Sequence, residues 1–213
     1  MTDTKQKILD TAERLIALQG FAATSLRHII AEAGVNLAAV HYHFGSKEEL
    51  LDHVIARKAT AVNEERLARL QQFEREAGSG PVPVEKVLAA FLEPMIELGS
   101  RNPQFVQVMG RMQSEGMLPA IIAKHFQPTV AYFLKALRRS LPELPEAELF
   151  WRLQFMFGAM ARAVTGPGGF STPGIQSDNP DFACLIRRLQ VFLCAGLKAP
   201  ATQEVTTPEE VRQ

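Results

Sequence analysis

The chain has 213 residues, 46% of them hydrophobic and 22% charged. That length allows one domain or two small ones, and the composition excludes a disordered chain. Lysine plus arginine equals aspartate plus glutamate, 23 of each, so net charge alone points to no nucleic-acid or membrane partner.

The pattern is helical throughout, with no strand-like alternation and no internal repeat. The opening segment from Met1 to Lys5 leads into an amphipathic stretch with acids in it, unlike a signal peptide. Ile8, Ala12, Leu15 and Ile16 recur on one face of a first helix, which Gly20 closes. Thr24 or Ser25 caps a second helix whose apolar face is Leu26, Ile29, Ile30 and Ala33, and Gly34 stops it. Asn36 caps a short third helix, about 37–44, with Val40 and Phe44 facing inward and Gly45 closing it. Ser46 followed by Glu49 is a capping box that opens a long fourth helix, about 47–76. The run Gly78 to Pro83 reads as a hinge or linker. Further helices are predicted over about 84–99, 103–115, 117–141, 145–164 and 180–197. Pro94, Pro119 and Pro128 should each start, kink or end a helix. Residues 166–179 read as a loop, and the chain from Ala199 onward as a frayed polar tail. Cys184 and Cys194 fall in one predicted helix, about 15 Å apart along its axis, too far to bond each other. No apolar run reaches the roughly 18 residues of a membrane span. A cytoplasmic protein is expected, with no membrane partner.

The expected fold class is all-α. Three short helices fill the first 45 or so residues, the last two joined by Gly34-Val35-Asn36, which makes a helix-turn-helix. A third helix set at a steep angle can enter a DNA major groove. Its inner face must be apolar, and its outer face offers Leu37, Ala38, Ala39, His41, Tyr42 and His43. Residues 1–58 hold seven basic and seven acidic side chains, so DNA binding here must rest on geometry rather than charge. His28, His41 and His43 are not read as a metal cluster: two positions apart on a helix, His41 and His43 point about 200° from each other. No metal and no cofactor is expected.

The segment from Thr24 to Asn36, the third helix, and Gly45-Ser46-Lys47-Glu48-Glu49-Leu50 together resemble the DNA-binding domain of TetR-type transcriptional regulators. The resemblance implies an all-helical homodimer. Its N-terminal domains bind a palindromic operator in double-stranded DNA, and its larger C-terminal domain binds a small inducer and dimerises. The implied division is a DNA-binding domain over 1–50, a ligand-binding and dimerisation domain over 51–198, and a flexible tail over 199–213. The resemblance places Arg27 near the groove and Leu37, Ala38 and Ala39 at the bases. It places His41, Tyr42, His43 and Lys47 at phosphates, with Ser25 and Asn36 in the same contact set. The residue chemistry agrees. Lys47 starts a helix, where the dipole favours an anion. Tyr42 and the histidines can donate to phosphate oxygens, and the alanines can touch a thymine methyl. Arg27 is the best candidate for a bidentate guanine contact.

Six of the seven methionines lie beyond residue 90. Phe91, Met95, Phe105, Met109, Met112, Phe126, Phe133, Phe155, Met156 and Met160 are candidates to line one deformable apolar interior for an effector. Arg101, Gln107, Arg111, Gln113 and His125 are polar groups in the same segments that could anchor a ligand's head. Glu148 to Met160, together with Gly34 to Val40, is similar to the PsrA-type branch of the family, whose members respond to long-chain fatty acids. That similarity implies a small apolar effector, a fatty acid or an acyl thioester. Phe150, Phe157, Ile186, Leu189, Phe192 and Leu193 give the last two helices more apolar surface than one core face needs, which predicts a four-helix dimer interface. Two other classes stand beside this reading: an architectural DNA-binding dimer without an inducer, and an all-helical enzyme. No phosphate loop, nucleophile elbow or metal-ligand spacing supports an enzyme.

Overall fold

The computed structural model describes residues 2–165 and 181–202. They form α1 (Thr2–Gln19), α2 (Leu26–Ala33), α3 (Leu37–Phe44), α4 (Lys47–Ala77), α5 (Val84–Arg101), α6 (Pro103–Ser114), α7 (Leu118–His125), α8 (Gln127–Ser140), α9 (Glu146–Thr165) and α10 (Phe182–Lys198). All ten are helices, as the periodicity requires. The expected loop over 166–179 and the tail beyond residue 202 lie outside the described residues. No described helix is long and apolar enough to cross a membrane.

The helix starts follow their capping residues. Ser25 Oγ accepts from the His28 N–H, Asn36 Oδ1 from the Ala39 N–H, and Ser46 and Glu49 exchange both bonds of a capping box. The helix predicted over 117–141 is two helices, broken at Phe126. The reason is Pro128, which cannot donate within a helix and sits in the first turn of α8. Pro94 does the opposite: it lies buried inside α5, and the helix runs through it to Arg101. Gly99, taken from the sequence as the end of that helix, is buried within it. A Cβ there would collide with the Phe182 ring of α10, so glycine permits this close crossing. The Gly78 to Pro83 segment is anchored rather than loose. Val82 is buried, and its carbonyl accepts from Ser140 Oγ at 2.5 Å.

The apolar side chains form two cores, not one. The first joins α1, α2, α3 and α4 as far as Ala59, and it recruits Phe105, Val108 and Met112 of α6 and Ile121 of α7. The second gathers Leu70 of α4 with α5, α8, α9 and α10. This division corrects the single interior expected from the sequence. Phe91, Phe133 and Met156 belong to the second core and line an apolar cavity of about 40 Å³. Met95, Phe105, Met109 and Phe126 line a different cavity of about 80 Å³, where the two cores meet. Met112 is fully buried in the first core, and Met160 packs half-buried on the second. Phe155 lines neither: it is 68% exposed and stacks on Trp151.

The residues expected at a dimer interface also separate. Ile186 and Leu193 are buried inside the subunit at 0% and 5% exposure, so they are core. Phe157 and Leu189 are half-buried against that core. Phe150 and Phe192 face outward, and Trp151, Phe155 and Val191 lie exposed with them. The periodicity could not separate these roles, because both faces of α9 and α10 are apolar.

Ion pairs tie the long helix to its neighbours. Arg57 of α4 donates to Asp10 at 2.6 Å and to the buried Glu13, both on α1. Arg69 donates to Glu65, Glu93 and Glu97, joining α4 to α5. Lys124 and His125 of α7 donate to Asp52 of α4 at 2.7 and 2.8 Å. Arg152 of α9 donates to four carbonyls at the end of α10, from Gly196 to Pro200.

Candidate nucleic-acid interface

The turn between α2 and α3 is built from three residues. Gly34 takes a left-handed conformation, φ 60°, and its N–H reaches back to the Ala31 and Ile30 carbonyls. A side chain there would be strained, which is why glycine ends α2. Val35 packs against the first core, and Asn36 starts α3 with its own side chain. The inner face of α3 is then fixed by Val40 and Phe44, 0% and 3% exposed. Burying those two side chains holds α3 by roughly 1.5–3 kcal/mol each.

The outer face of α3 is open. Leu37 is 52% exposed and Tyr42 76%. Ala38 and His41 are exposed, and Ala39 and His43 half-buried. The Tyr42 and His43 rings meet edge to face, centroids 5.1 Å apart. His41 donates from Nδ1 to the Gly45 carbonyl at 2.9 Å, which leaves Nε2 as its second nitrogen. Ser25 and Arg27 are exposed at the start of α2, and the Arg27 guanidinium has no protein partner among the described residues. Arg14, by contrast, is paired with Glu32 at 2.6 Å. Lys47 is the first residue of α4, and its ammonium stands 4.1 Å from the centre of the Phe21 ring. The fold therefore presents Ser25, Arg27, Asn36, Leu37, Ala38, Ala39, His41, Tyr42, His43 and Lys47 along α3 and the two helix starts beside it.

A second group of contacts fixes this head to the rest of the chain. Glu115, just past α6, accepts from the Phe21 N–H at 2.8 Å and the Ala22 N–H at 3.0 Å. Arg111 of α6 donates to the Leu18 carbonyl at 2.8 Å and, more weakly, to Ala17 at 3.4 Å. The pair thus grips the end of α1 and the turn into α2. Arg111 is occupied there, not aimed into a cavity as a ligand anchor. His125 is likewise occupied, bonded to Asp52 while its carbonyl accepts from Asn63 Nδ2 at 2.7 Å. Arg101, Gln107 and Gln113 are exposed. The Glu115 grip left no trace in the sequence, because its partners are backbone N–H groups more than 90 positions away.

Residues 89–196 match the family described as tetracyclin repressor-like, C-terminal domain, and residues 8–54 match the bacterial regulatory proteins of the tetR family. The chain belongs to the TetR family. It is a DNA-binding transcriptional regulator of the helix-turn-helix type, from a family whose members bind DNA and act as dimers. The HTH-type transcriptional regulator AcrR of Shigella flexneri is 23% identical over 213 residues, 95% of each chain. The HTH-type transcriptional regulator YerO of Bacillus subtilis is 45% identical over 51 residues. That match takes 24% of this chain and spans only 18% of YerO. Among solved structures, a TetR-like transcriptional regulator from a Rhodococcus species superposes with a TM-score of 0.59 at 18% identity, covering 92% of this chain and 97% of that one. The likeness to AcrR and to the Rhodococcus structure extends through both cores.

Proposed function

We propose that this TetR-family chain is a repressor, held as a dimer on a palindromic operator until a small apolar effector enters its body and releases it. The observation that carries the reading is the open face of α3, with the exposed Arg27 at the start of α2 and Lys47, its ammonium over the Phe21 ring, at the start of α4. Leu37, Ala38 and Ala39 offer apolar contact to thymine methyls. Arg27, exposed at the start of α2 and without a protein partner among the described residues, supplies a guanidinium that can bond a guanine. Tyr42, His43 and Lys47 contact phosphates, with Ser25 and Asn36 at the N-termini of α2 and α3. His41 donates its Nδ1 proton to Gly45, so it can donate to a phosphate only when Nε2 is protonated as well. Two α3 helices in successive major grooves stand about 34–36 Å apart.

The exposed aromatic strip of α9 and α10, with Phe150, Trp151, Phe155 and Phe192 at its centre, is where the second copy fits. Phe157 and Leu189 border it. The effector reading is supported by the two apolar cavities, lined by Phe, Met, Leu and Val, and by the similarity to the PsrA-type branch. A fatty acid or acyl thioester is the class proposed. Each buried CH₂ contributes about 0.8 kcal/mol, and tenfold release of operator needs about 1.4 kcal/mol of preference for the released state. The test titrates fatty acids of increasing length against a complex with a palindromic duplex selected from random sequence. Release that grows with chain length is expected. Retention with every chain length, alongside release by a small polar compound, would refute the effector class. A single chain bound per duplex would refute the dimer arrangement.

A further inference from the structure

Arg66 of α4 is the most unusual charge among the described residues. It is 4% exposed and it lines the larger cavity with Val62, Met95, Phe105, Met109 and Phe126. Its Nε donates to the Phe91 carbonyl at 2.8 Å, and its guanidinium lies over the Phe91 ring, 4.1 Å from the centroid. No carboxylate pairs with it among the described residues, and the terminal nitrogens bond nothing there. Three residues along the same helix, the half-exposed Arg69 is met by three carboxylates. The distribution is the reverse of what stability alone favours. A buried guanidinium with most of its five N–H donors unused is costly, whereas a partly exposed one hardly needs a partner. Burial pulls Arg66 down to about 9, so it is still a cation at neutral pH. A cation that faces an otherwise apolar cavity is matched by a molecule with one anionic end and an apolar body.

We propose that the cavity beside Arg66 binds an apolar monocarboxylic acid, with the guanidinium pairing with its carboxylate. This rests on the effector reading above and names the chemistry of its head. The two terminal nitrogens form the fork that accepts a carboxylate in bidentate fashion. The cavity of about 80 Å³ has room for roughly five to eight water-sized groups, enough for a carboxylate and a short chain or ring. Phe91 divides this space from the second cavity: its ring lines that cavity, and its carbonyl holds Arg66. A longer chain reaches from Arg66 into the second cavity only where the Phe91 ring turns aside. A thioester has no carboxylate at that end and does not satisfy the site.

The test compares hexanoate and decanoate with their methyl esters, titrated by calorimetry at pH 7.5 into the full-length protein, with operator release measured in parallel. The acids are expected to bind at least tenfold more tightly than the esters, a difference of about 1.4 kcal/mol. Arg66→Met should erase that preference, so that acid and ester bind alike. Arg66→Lys should keep part of it. Methionine fills the space and removes an unpaired buried charge, so the variant should fold, and its circular dichroism checks this. The comparison of acid with ester in the unaltered protein decides the matter even if the variant does not fold. Equal binding of acid and ester overturns the proposal, as does no binding of either or an acid preference that survives Arg66→Met. Release of operator by acid and ester alike would leave the effector reading standing without the Arg66 anchor. Preferential acid binding with no release would keep the anchor and refute that reading.

Discussion

Cutting the Glu115 grip should remove one tie between the head and α6 without touching DNA or cavity. In Glu115→Ala, two charge-assisted bonds of 2.8 and 3.0 Å disappear. The Ala22 N–H is exposed and turns to water, so its loss costs little. The Phe21 N–H is partly buried and is left short of a partner, at about 1–3 kcal/mol. A net loss of about 2 kcal/mol follows. For a chain of this size, each kcal/mol moves Tm by about 2–4 °C, so the expected drop is about 4–8 °C. Glu115→Gln keeps one oxygen for Phe21 and should lose about half as much. Operator affinity without effector should stay within about threefold, because no contact residue is moved. Release by an effector should weaken, because α6 no longer pulls on the α1–α2 turn. Differential scanning calorimetry and an anisotropy titration with labelled operator read both effects. A Tm within 1 °C of the unaltered protein would show that the grip contributes nothing to stability. Full release by effector would show that it carries no signal.

Lys47→Ala should weaken binding to all DNA sequences and lower the salt slope by about one unit, and it should also cost about 0.5–1 kcal/mol of stability through the lost Phe21 contact. Arg27→Ala should instead relax discrimination at one base pair by about 1–3 kcal/mol, read by competition with operator variants. Burial alone would raise the Asp52 carboxyl, but Lys124 and His125 outweigh it and hold it below its ordinary value. A carboxyl lowered in the folded state stabilises fully above the unfolded value near 4, and that contribution is lost as pH falls through the folded value. Asp52→Asn should therefore lower Tm at pH 7 and flatten the fall in Tm below about pH 4. Phe192→Glu, on the exposed strip, should yield monomers at micromolar concentration by sedimentation with the subunit still folded. Ile186→Ala, in the core, should instead cost about 2–5 kcal/mol of stability.

The helix-turn-helix was legible because its signals are local. Ser25, Gly34, Asn36 and the Ser46–Glu49 box each fix a helix end within four residues, and Val40 and Phe44 follow directly from the helical period. The body was legible only as helices. Periodicity shows that Phe91 and Phe105 are apolar-face residues, but not that they enter different cores. Phe155 and Ile186 show the same limit from the other side: both sit in apolar helices, and only packing exposes one and buries the other. Arg66 did leave a signal. Ala59, Val62, Arg66 and Leu70 are spaced three, four and four apart, which puts Arg66 in phase with the buried stripe of α4. A charge in that stripe is the mark of an unusual site, and it is masked in the sequence by the many charged residues on the other faces of the same helix.

The position of the cavity settles which element is nearest to both ends of the molecule. A ligand in this cavity touches α4 at Ala59, Val62 and Arg66, the nearest of them 12 residues, roughly 18 Å, from Lys47 at its start. On α6 the path to the turn into α2 is shorter. Met109 lines the cavity, Arg111 lies two residues on and already bonds the end of α1, and Glu115 lies six residues on, about 9 Å, holding the turn into α2. A displacement of α6 reaches the head through the Arg111 and Glu115 bonds and the side chains of α6 packed in the first core. The same displacement transmitted along α4 must first rotate a helix that the Arg57 pairs with Asp10 and Glu13 hold against α1. The geometry therefore ranks the two routes. Glu115→Ala should blunt release more than Arg57→Met, even though Arg57→Met strands the buried Glu13 and costs more stability.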